Sequence, residues 1–282
     1  MTAATIPCPA VGRIAIASWL LFAPACSCDP PIAPAPEDIE GLSHWLWVNF
    51  LVADDAALAD AVVKIHAATD LEHFSAPARS LLDDLNSDEL EPVEMSDRDP
   101  APAQGMLLVD RFDCTMEQLQ AVFLDPDQGA IYPEIYQEYQ RTVLTDLEAF
   151  KARTTNLVSF RNYYQAQPLP AARYEATTRC DLRYIGADPE VELPFGPMFI
   201  QRIWLPQPVH YFDTDANVFD LDFQVEIFYQ TAPGKMGKFY PFWRHMAFNG
   251  VGASTDDEWI IDIVLDGQED WDVRTAEVCA ER

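Results

Sequence analysis

The chain has 282 residues and a formal net charge of −28, from 46 acidic and 18 basic side chains. Such an acidic surface repels nucleic acid and bare anionic lipid, which excludes both as main partners. Because 49% of the residues are hydrophobic and 12% are aromatic, the chain can bury a core, which excludes an intrinsically disordered protein.

The first 25 residues have the pattern of a secretory signal peptide. Arg13 is the only charged residue before Asp29, an apolar stretch over residues 14–22 follows it, and small residues precede Cys26. This order of positive end, apolar core and small-residue cleavage site predicts export. The apolar stretch is shorter than the roughly 20 residues that span a bilayer, so a transmembrane helix is not expected.

Two kinds of peptidase can process this signal. Residues 23–25, Ala-Pro-Ala, fit an ordinary signal-peptidase site, which would give a periplasmic or secreted protein. The same run ends in Cys26 and resembles a bacterial lipobox, in which the cysteine receives a lipid, with Ala23 where that family usually has leucine. Residues 26–36 are rich in Pro and Ala and suit a tether that holds a domain off a membrane. We therefore predict an exported lipoprotein, anchored through Cys26 to the outer membrane or cell envelope.

Cysteine usage agrees with export. Cys8 lies in the signal peptide and Cys26 is the predicted lipid site, which leaves Cys28, Cys114, Cys180 and Cys279. An even number of cysteines in an oxidising compartment predicts disulfides, and buried free thiols are the alternative. We predict a bond between Cys180 and Cys279, because both fall in predicted strands of one sheet. The cysteine spacing does not fit a metal site, and neither a metal nor a cofactor is predicted.

Residues 37–95 are predicted to form a helical subdomain. Apolar side chains recur every three to four positions in segments that begin near Ile39, Asp55 and Ser75. Residues 96–105 have the composition of a linker and mark a predicted boundary.

Residues 106–282 are predicted to form an α+β domain. A short strand opens it, and Thr115 with Gln118 forms a capping box for a helix. From Leu157 onward apolar and polar side chains alternate, and this period of two predicts antiparallel strands with one buried face. Residues 259–265 and 271–279 are also predicted as strands.

This order of a strand, two helices and a run of antiparallel strands resembles the helix-grip (START-like) fold. The resemblance implies a curved antiparallel sheet that packs on helices and encloses an apolar ligand. That family closes its cavity with a long C-terminal helix, whereas residues 271–279 predict a strand. With its signal peptide, helical lead-in and residues 132–141, the chain also resembles predicted lipoproteins of environmental bacteria, a likeness that implies no activity.

Two acidic runs have the beginning of a calcium-binding loop. One starts D-x-D-x-N at Asp213, and the other covers residues 125–129. A calcium loop needs Gly at its sixth position and Glu at its twelfth, where the first run has Val218 and Gln224. Both runs are therefore predicted to be turns, in which Asp and Asn hydrogen bond to the nearby backbone.

Asp220, Asp222 and Glu226 share one face of a predicted strand and motivate an alternative function, a hydrolase or isomerase with a carboxylate site in a sheet-lined cavity. Carboxylates perform acid–base chemistry only where burial shifts their pKa. A basic stripe lies on another strand, formed by Arg173, Arg179 and Arg183. We expect the two stripes to be solvated and to form cross-strand ion pairs, and no catalytic residue is assigned.

Residues 235–245 concentrate cations and aromatic rings in an otherwise acidic chain. The candidate contact residues are Lys235, Lys238, Phe239, Tyr240, Phe242, Trp243 and Arg244. Aromatic side chains with flanking cations suit a membrane interface, a ligand rim or a protein hot spot. The alternative is a hairpin whose rings pack back on the sheet.

Together these features predict a non-enzymatic envelope lipoprotein whose domain binds an apolar ligand or a partner protein. No G-x-S-x-G motif and no glycine-rich phosphate loop occurs in the sequence. A cavity lined by apolar side chains would favour binding, whereas buried carboxylates that converge in the cavity would favour the enzyme.

Overall fold

A ten-stranded sheet forms the centre of the fold in the computed structural model, which describes residues 32–168, 172–186, 190–212 and 214–282. The strands are β1 (Ala78–Leu82), β2 (Gln104–Asp113), β3 (Tyr136–Val143), β4 (Leu157–Ala166), β5 (Tyr174–Ile185), β6 (Met198–Trp204), β7 (His210–Tyr211), β8 (Asn217–Ala232), β9 (Lys235–Phe248) and β10 (Ala253–Ser254). Every described pairing is antiparallel. The main path through the sheet is β1-β2-β9-β8-β6-β5-β4-β3, with β10 beside β9 and β7 beside β5.

Six α-helices and two short 3-10 helices accompany the sheet within the described residues. They are α1 (Ile39–Asn49), α2 (Asp55–Thr69), α3 (Met116–Phe123), α4 (Gln128–Ile131), α5 (Leu147–Lys151) and α6 (Glu258–Ala280), with 3-10 helices at Leu71–His73 and Ser87–Val93. The carboxylates of Asp38 and Asp54 cap the first turns of α1 and α2. Thr115 and Gln118 form the predicted capping box of α3. The predicted α+β class, a curved antiparallel sheet packed on helices, is confirmed.

Helices cover both faces of the sheet. On the face that we call the outer face, α1 and α2 bury apolar side chains against β8 and β9. Trp47 of α1 lies there with its ring centroid 5.6 Å from that of Phe223 and 6.4 Å from that of Trp243. On the opposite, inner face, α3 and α6 pack over a second cluster that includes Phe199 and Phe228. Removing this apolar area from water, at about 25 cal/mol per Å², stabilises the layered arrangement.

The segment predicted as a third helix near Ser75 is instead β1, an edge strand paired with β2. Only Leu82 of β1 is buried. The leucines of this segment therefore have a spacing that resembles a helix in the sequence, but they form no buried helical face in the structure. Pairing of β1 with β2 joins the two sides of the predicted linker at residues 96–105 within one sheet. That linker therefore lies inside a continuous fold, and Ile32–Arg282 is one compact unit.

The two strands predicted at residues 259–265 and 271–279 form one helix, α6, so this prediction is wrong. Apolar residues alternate at Trp259, Ile261 and Ile263, but Trp259 is 49% exposed and the helix buries Ile260 instead. Trp271 follows Ile260 by 11 positions and Val278 follows Trp271 by seven, close to whole numbers of helical turns. The long C-terminal helix of the helix-grip arrangement is thus present.

One disulfide joins Cys114, just before α3, to Cys279 in the last turn of α6, with the Cα atoms 5.4 Å apart. The predicted bond between Cys180 and Cys279 is therefore wrong. Cys180 is a buried free thiol on β5. The error follows from the α6 error, because Cys279 lies on a helix that packs on α3 and not in a strand near β5. Cys28 lies outside the described residues, as does the predicted lipid site at Cys26.

Candidate functional site

A cavity of about 630 Å³ lies between α6 and the inner face of the sheet. Six strands contribute to its wall, namely β3, β4, β5, β6, β8 and β9, and α6 covers it. This volume falls within the range of roughly 300 to 1,000 Å³ that is usual for small-molecule sites.

Aromatic and aliphatic side chains form much of the cavity wall. They come from the strands and from α6, and include Phe160, Tyr164, Tyr174, Leu182, Ile203, Met246, Phe248, Ile260, Val264 and Trp271. The apolar positions of β5 that alternate in the sequence therefore face the cavity, as the period of two predicts for a buried face. An apolar wall of this kind accepts the hydrocarbon part of a ligand because it removes that part from water.

The cavity opens beside the middle of α6. The exposed residues of the lining are Ile263, Asp266, Gly267 and Asp270 of α6, together with Glu134 before β3 and Gln167 and Pro168 beyond β4. A Cβ atom added to Gly267 would meet no atom within 4 Å. Glycine costs about 1 kcal/mol in a helix interior, so its presence here leaves space at the mouth at the expense of helix stability.

The inner face carries two buried clusters of paired charges. In the first, the Arg244 guanidinium donates from Nε and Nη2 to the two carboxylate oxygens of Asp222, at 3.0 and 3.2 Å. Burial disfavours the Arg244 cation, but the Asp222 carboxylate more than offsets this effect and raises the pKa of Arg244. Arg244 therefore meets the cavity with its charge already neutralised.

The second cluster surrounds Lys238, which is fully buried. Its Nζ lies 2.9 and 3.2 Å from the carboxylate oxygens of Asp272 on α6, and 3.4 Å from Oε1 of Glu226. Glu226 lines the cavity and accepts a hydrogen bond from Gln201. Burial raises the pKa of Asp272 to about 8, although the charge of Lys238 opposes this shift.

Arg141 on β3 brings a cation to the cavity wall in addition to Arg244. Its Nε donates to Tyr139 Oη and to Asn162 Oδ1, each at 3.1 Å. Its Nη1 donates to the backbone carbonyls of Phe123, at 2.5 Å, and Asp125, at 3.3 Å. The guanidinium also lies over the Phe160 ring, 4.6 Å from its centroid.

The carboxylate stripe is only partly where the sequence predicted it. Asp222 is 1% and Glu226 is 4% exposed on the inner face, so the expectation of a solvated stripe is wrong for these two. Asp220 is partly exposed and contacts His245. The stripe was misplaced because the apolar residues of β8 face the helices of the outer layer, which leaves the polar residues to face the cavity.

The basic stripe does not pair with these acids. Arg179 and Arg183 on β5 lie on the outer face, opposite Thr178 and Cys180 of the cavity wall. Arg183 instead pairs with Asp55 of α2 at 2.7 Å. The prediction of cross-strand pairing between the stripes is therefore wrong: Asp222 and Glu226 find their cations on the neighbouring strand β9.

The predicted contact segment is strand β9, between β2 and β8, and not an exposed tip. Its rings are all buried: Phe239 and Trp243 on the outer face, Tyr240 and Phe242 on the inner face. Lys238 and Arg244 are held by the charge clusters, and Lys235 pairs with Asp113 at the end of the strand. The prediction of an exposed contact at these residues is therefore wrong. The alternative applies, in which the rings pack on the sheet.

The cavity brings together no nucleophile and base within the described residues. Cys180 is its only cysteine there, and burial raises the pKa of its thiol to about 12, which keeps it protonated. No histidine is among the described lining residues. The described parts of the chain also contain no group of three His, Cys, Asp or Glu side chains that could hold a metal.

The two acidic runs considered for calcium behave differently. Asp213 lies outside the described residues. The Asp125 side chain accepts from the Asp127 backbone at 2.9 Å, and the Asp127 side chain accepts from the Ala130 backbone at the start of α4. These are the local roles predicted for turn residues, and Asp125 in addition pairs with the distant Arg282.

The sequence did not identify the contribution of α6 or of Arg141 to the cavity. For α6 a signal existed, since Ile260, Val264, Gly267 and Trp271 recur at helical spacing and all line the cavity. Arg141 had no such signal, because a cation on an exposed edge strand is ordinary until its neighbours in space are known.

Similar solved structures include two that are described as lipid-transfer domains or proteins. The lipid transfer and protein localization domain of human StarD13 matches with a TM-score of 0.31 and 9% identity, over 51% of this chain and 62% of that domain. A STAR-related lipid transfer protein from Xanthomonas axonopodis matches with a TM-score of 0.32 and 10% identity, over 50% of this chain and 68% of that one. The matched part thus spans less than two thirds of the human domain.

No protein-family model and no curated protein sequence matches the chain. Within the described residues, no helix combines the length and the apolar character that a membrane span requires. Since both structural likenesses have low TM-scores, the functional proposal depends on the geometry of the cavity alone.

Proposed function

We propose that the protein binds an apolar or amphiphilic small molecule in the cavity between α6 and the sheet, without changing it chemically. The observation that carries this proposal is the cavity itself: about 630 Å³, with an apolar wall and a mouth beside Gly267. Sites of this kind bind ligands by burying their apolar surface, while a few polar groups fix the orientation.

The enzymatic alternative has weaker support. Buried carboxylates do reach the inner face, but Asp222 pairs with Arg244 and Glu226 lies beside Lys238. A carboxylate held by a cation is a poor proton donor and acceptor near neutral pH, because the cation favours its ionised form. The charges of the inner face therefore support a structural role for these acids.

Titration with decan-1-ol tests the proposal, because this neutral ligand depends only on the apolar wall. We expect saturable one-to-one binding by isothermal titration calorimetry, with a negative change in heat capacity from the buried apolar surface. Gly267→Trp places an indole at the mouth and is expected to abolish binding.

Gly267→Ala is the matched control, because its single methyl group leaves the mouth open. It is expected to keep the affinity and to raise the free energy of unfolding by up to about 1 kcal/mol, since alanine favours a helix interior. Absence of saturable binding to the wild-type protein, or equal binding by the tryptophan variant, would contradict a ligand site in this cavity.

We also propose that the protein is exported and anchored to the cell envelope through a lipid on Cys26. The support for this is the signal-like order of residues 1–25 and the small-residue run before Cys26. A tether at residues 26–36 would leave the domain free to exchange its ligand with a membrane or an envelope partner protein.

A further inference from the structure

Arg141 differs from the other cation that lines the cavity. Arg244 has the carboxylate of Asp222 as its partner, whereas no carboxylate within the described residues lies within salt-bridge distance of Arg141. The nearby Asp125 offers Arg141 only its backbone carbonyl, because its carboxylate binds Arg282. In a chain with 46 acidic residues, a cation left without an acidic partner at a cavity wall requires an explanation.

Further hydrogen-bond donors surround this guanidinium. Arg141 Nη2 has no hydrogen-bond partner among the described residues, and neither does the side-chain amide nitrogen of Asn162, whose oxygen accepts from Arg141. Tyr139 accepts from Arg141 Nε, which leaves its hydroxyl hydrogen free to donate. Arg141, Asn162 and Tyr139 all line the cavity, as does Tyr136.

The two phenols remain donors at neutral pH. Burial raises the pKa of Tyr136 to about 12, and it also raises the pKa of Tyr139, although the charge of Arg141 opposes both shifts. Glu134 also lines the cavity near Tyr136, but no carboxylate of the described residues pairs with Arg141. A cation without an ionic partner beside several neutral donors is the composition of an anion site.

The apolar wall begins directly beside these donors. Phe160 lies under the guanidinium, and Tyr164 and Ala166 follow Asn162 along the cavity side of β4. The four residue steps from Asn162 to Ala166 cover about 13 Å of strand. The cavity therefore has apolar side chains directly beside a cation that lacks an acidic partner.

We propose that the ligand is an anionic amphiphile, whose carboxylate or phosphate head binds Arg141 and Asn162 while its hydrocarbon chain lies between β4 and α6. This inference rests on the proposed binding function and specifies the class of ligand. The head group replaces the missing acidic partner of Arg141, and charge-assisted hydrogen bonds of this kind are stronger than neutral ones.

A series of ligands with the same ten-carbon chain tests the inference on the wild-type protein. Decanoate, decyl phosphate, decan-1-ol and decylamine are titrated at one pH and one ionic strength. We expect decanoate or decyl phosphate to bind about tenfold more tightly than the alcohol, as one charged hydrogen-bonding partner can provide, and the amine to bind most weakly. The ratio of the two anions identifies the preferred head group.

Two variants assign the effect to a residue. Arg141→Gln is expected to remove the advantage of the anion over the alcohol while changing alcohol binding less than about threefold. Arg161→Gln is the matched control, because Arg161 is an exposed arginine of β4 that does not line the cavity. It removes the same charge and is expected to keep the preference for the anion.

Arg141→Lys covers the case in which the glutamine variant does not fold, since Arg141 also binds the carbonyls at the end of α3. It keeps the cation and is expected to retain a reduced preference for the anion. Equal affinities of the anions and decan-1-ol for the wild-type protein would overturn this inference and leave the proposed function intact. Failure of all four ligands to bind would overturn the proposed function itself.

Discussion

Lys238 shows how single residues stabilise the inner face. Its ammonium group is completely buried and donates to the Asp272 carboxyl group of α6 across the layer boundary. Removing one partner would leave a buried polar group without its hydrogen bond, which typically costs about 1 to 3 kcal/mol and more for a charged group. Lys238 therefore fixes the position of α6 over the sheet and is not available for an external contact.

The Asp272 carboxyl is expected to make stability depend on pH. Its pKa in the folded protein, about 8, lies above its value of 3.8 in an unfolded chain, so the folded state holds a proton that the unfolded state releases. The free energy of unfolding is therefore expected to fall as the pH rises from about 4 to about 8. Asp272→Asn removes this titrating carboxyl group, so the variant does not lose stability in this way. The free energy of unfolding of the variant relative to wild type is therefore expected to rise as the pH rises from about 4 to about 8.

Chemical denaturation of both proteins at several pH values measures this effect. Asp270→Asn is the control, because Asp270 is an exposed acid two positions away on the same helix. A stability difference between wild type and Asp272→Asn that stays constant from pH 5 to pH 9 would show that Asp272 is ionised in the folded state at neutral pH.

Among the secondary-structure elements, the long strands could be predicted from the sequence, whereas helix α6 could not. Period-two alternation located the long strands β5 and β8, because each extends over more than ten residues with one apolar face. The window over residues 259–265 is too short to separate a strand from a helix with apolar residues on two sides. Because α6 covers the cavity and carries Cys279, neither the cover of the cavity nor the disulfide partner of Cys279 could be predicted without this helix.

The sequence also does not show which face of each strand is covered by protein. Alternation shows that two faces differ, but not which face is covered by protein and which meets solvent. In β8 both faces are buried, since α1 and α2 cover one and the cavity lies on the other. Asp222 and Glu226 therefore appeared to be surface acids, although they are buried polar residues of the cavity side.

The disulfide between Cys114 and Cys279 is expected to keep the end of α6 on α3. It closes a loop with a sequence separation of 165, for which the chain-entropy model gives a stabilisation of at most about 5 kcal/mol. The double variant Cys114→Ser, Cys279→Ser is expected to unfold at lower denaturant concentration by an amount up to this limit.

Peptide mapping without reducing agent checks the connection itself. We expect the peptides that contain Cys114 and Cys279 to be linked and the Cys180 peptide to carry a free thiol. Cys180→Ala is the control and is expected to leave the linked peptides unchanged. Linkage of Cys180 to either of the other two cysteines would contradict the arrangement described.

At the scale of the whole molecule, one sheet separates two different environments. The outer face is a filled core under α1 and α2, whereas the inner face is only partly filled by α3 and α6 and retains the cavity. This asymmetry leaves the space for the proposed ligand on one side of the sheet. With a net charge of −28, we expect the protein to repel nucleic acid.

Anchoring of the whole protein is tested by Cys26→Ala, which removes the proposed lipid site. We expect wild type to sediment with membranes and the variant to move to the soluble fraction, since a covalent lipid is the only proposed anchor. Cys28→Ala, two positions away, is the matched control and is expected to remain with membranes. Processing that is insensitive to globomycin, with both Cys26→Ala and wild type in the soluble fraction, would contradict lipidation.

A crystal structure with a decanol brominated at its terminal carbon, measured at the bromine absorption edge, tests directly whether the cavity binds an apolar chain. We expect an anomalous peak inside the cavity, between α6 and the side chains of β4 and β5 that line it. A peak confined to the outer surface, or no peak together with side chains that fill the space, would contradict the proposal that this cavity binds an apolar chain.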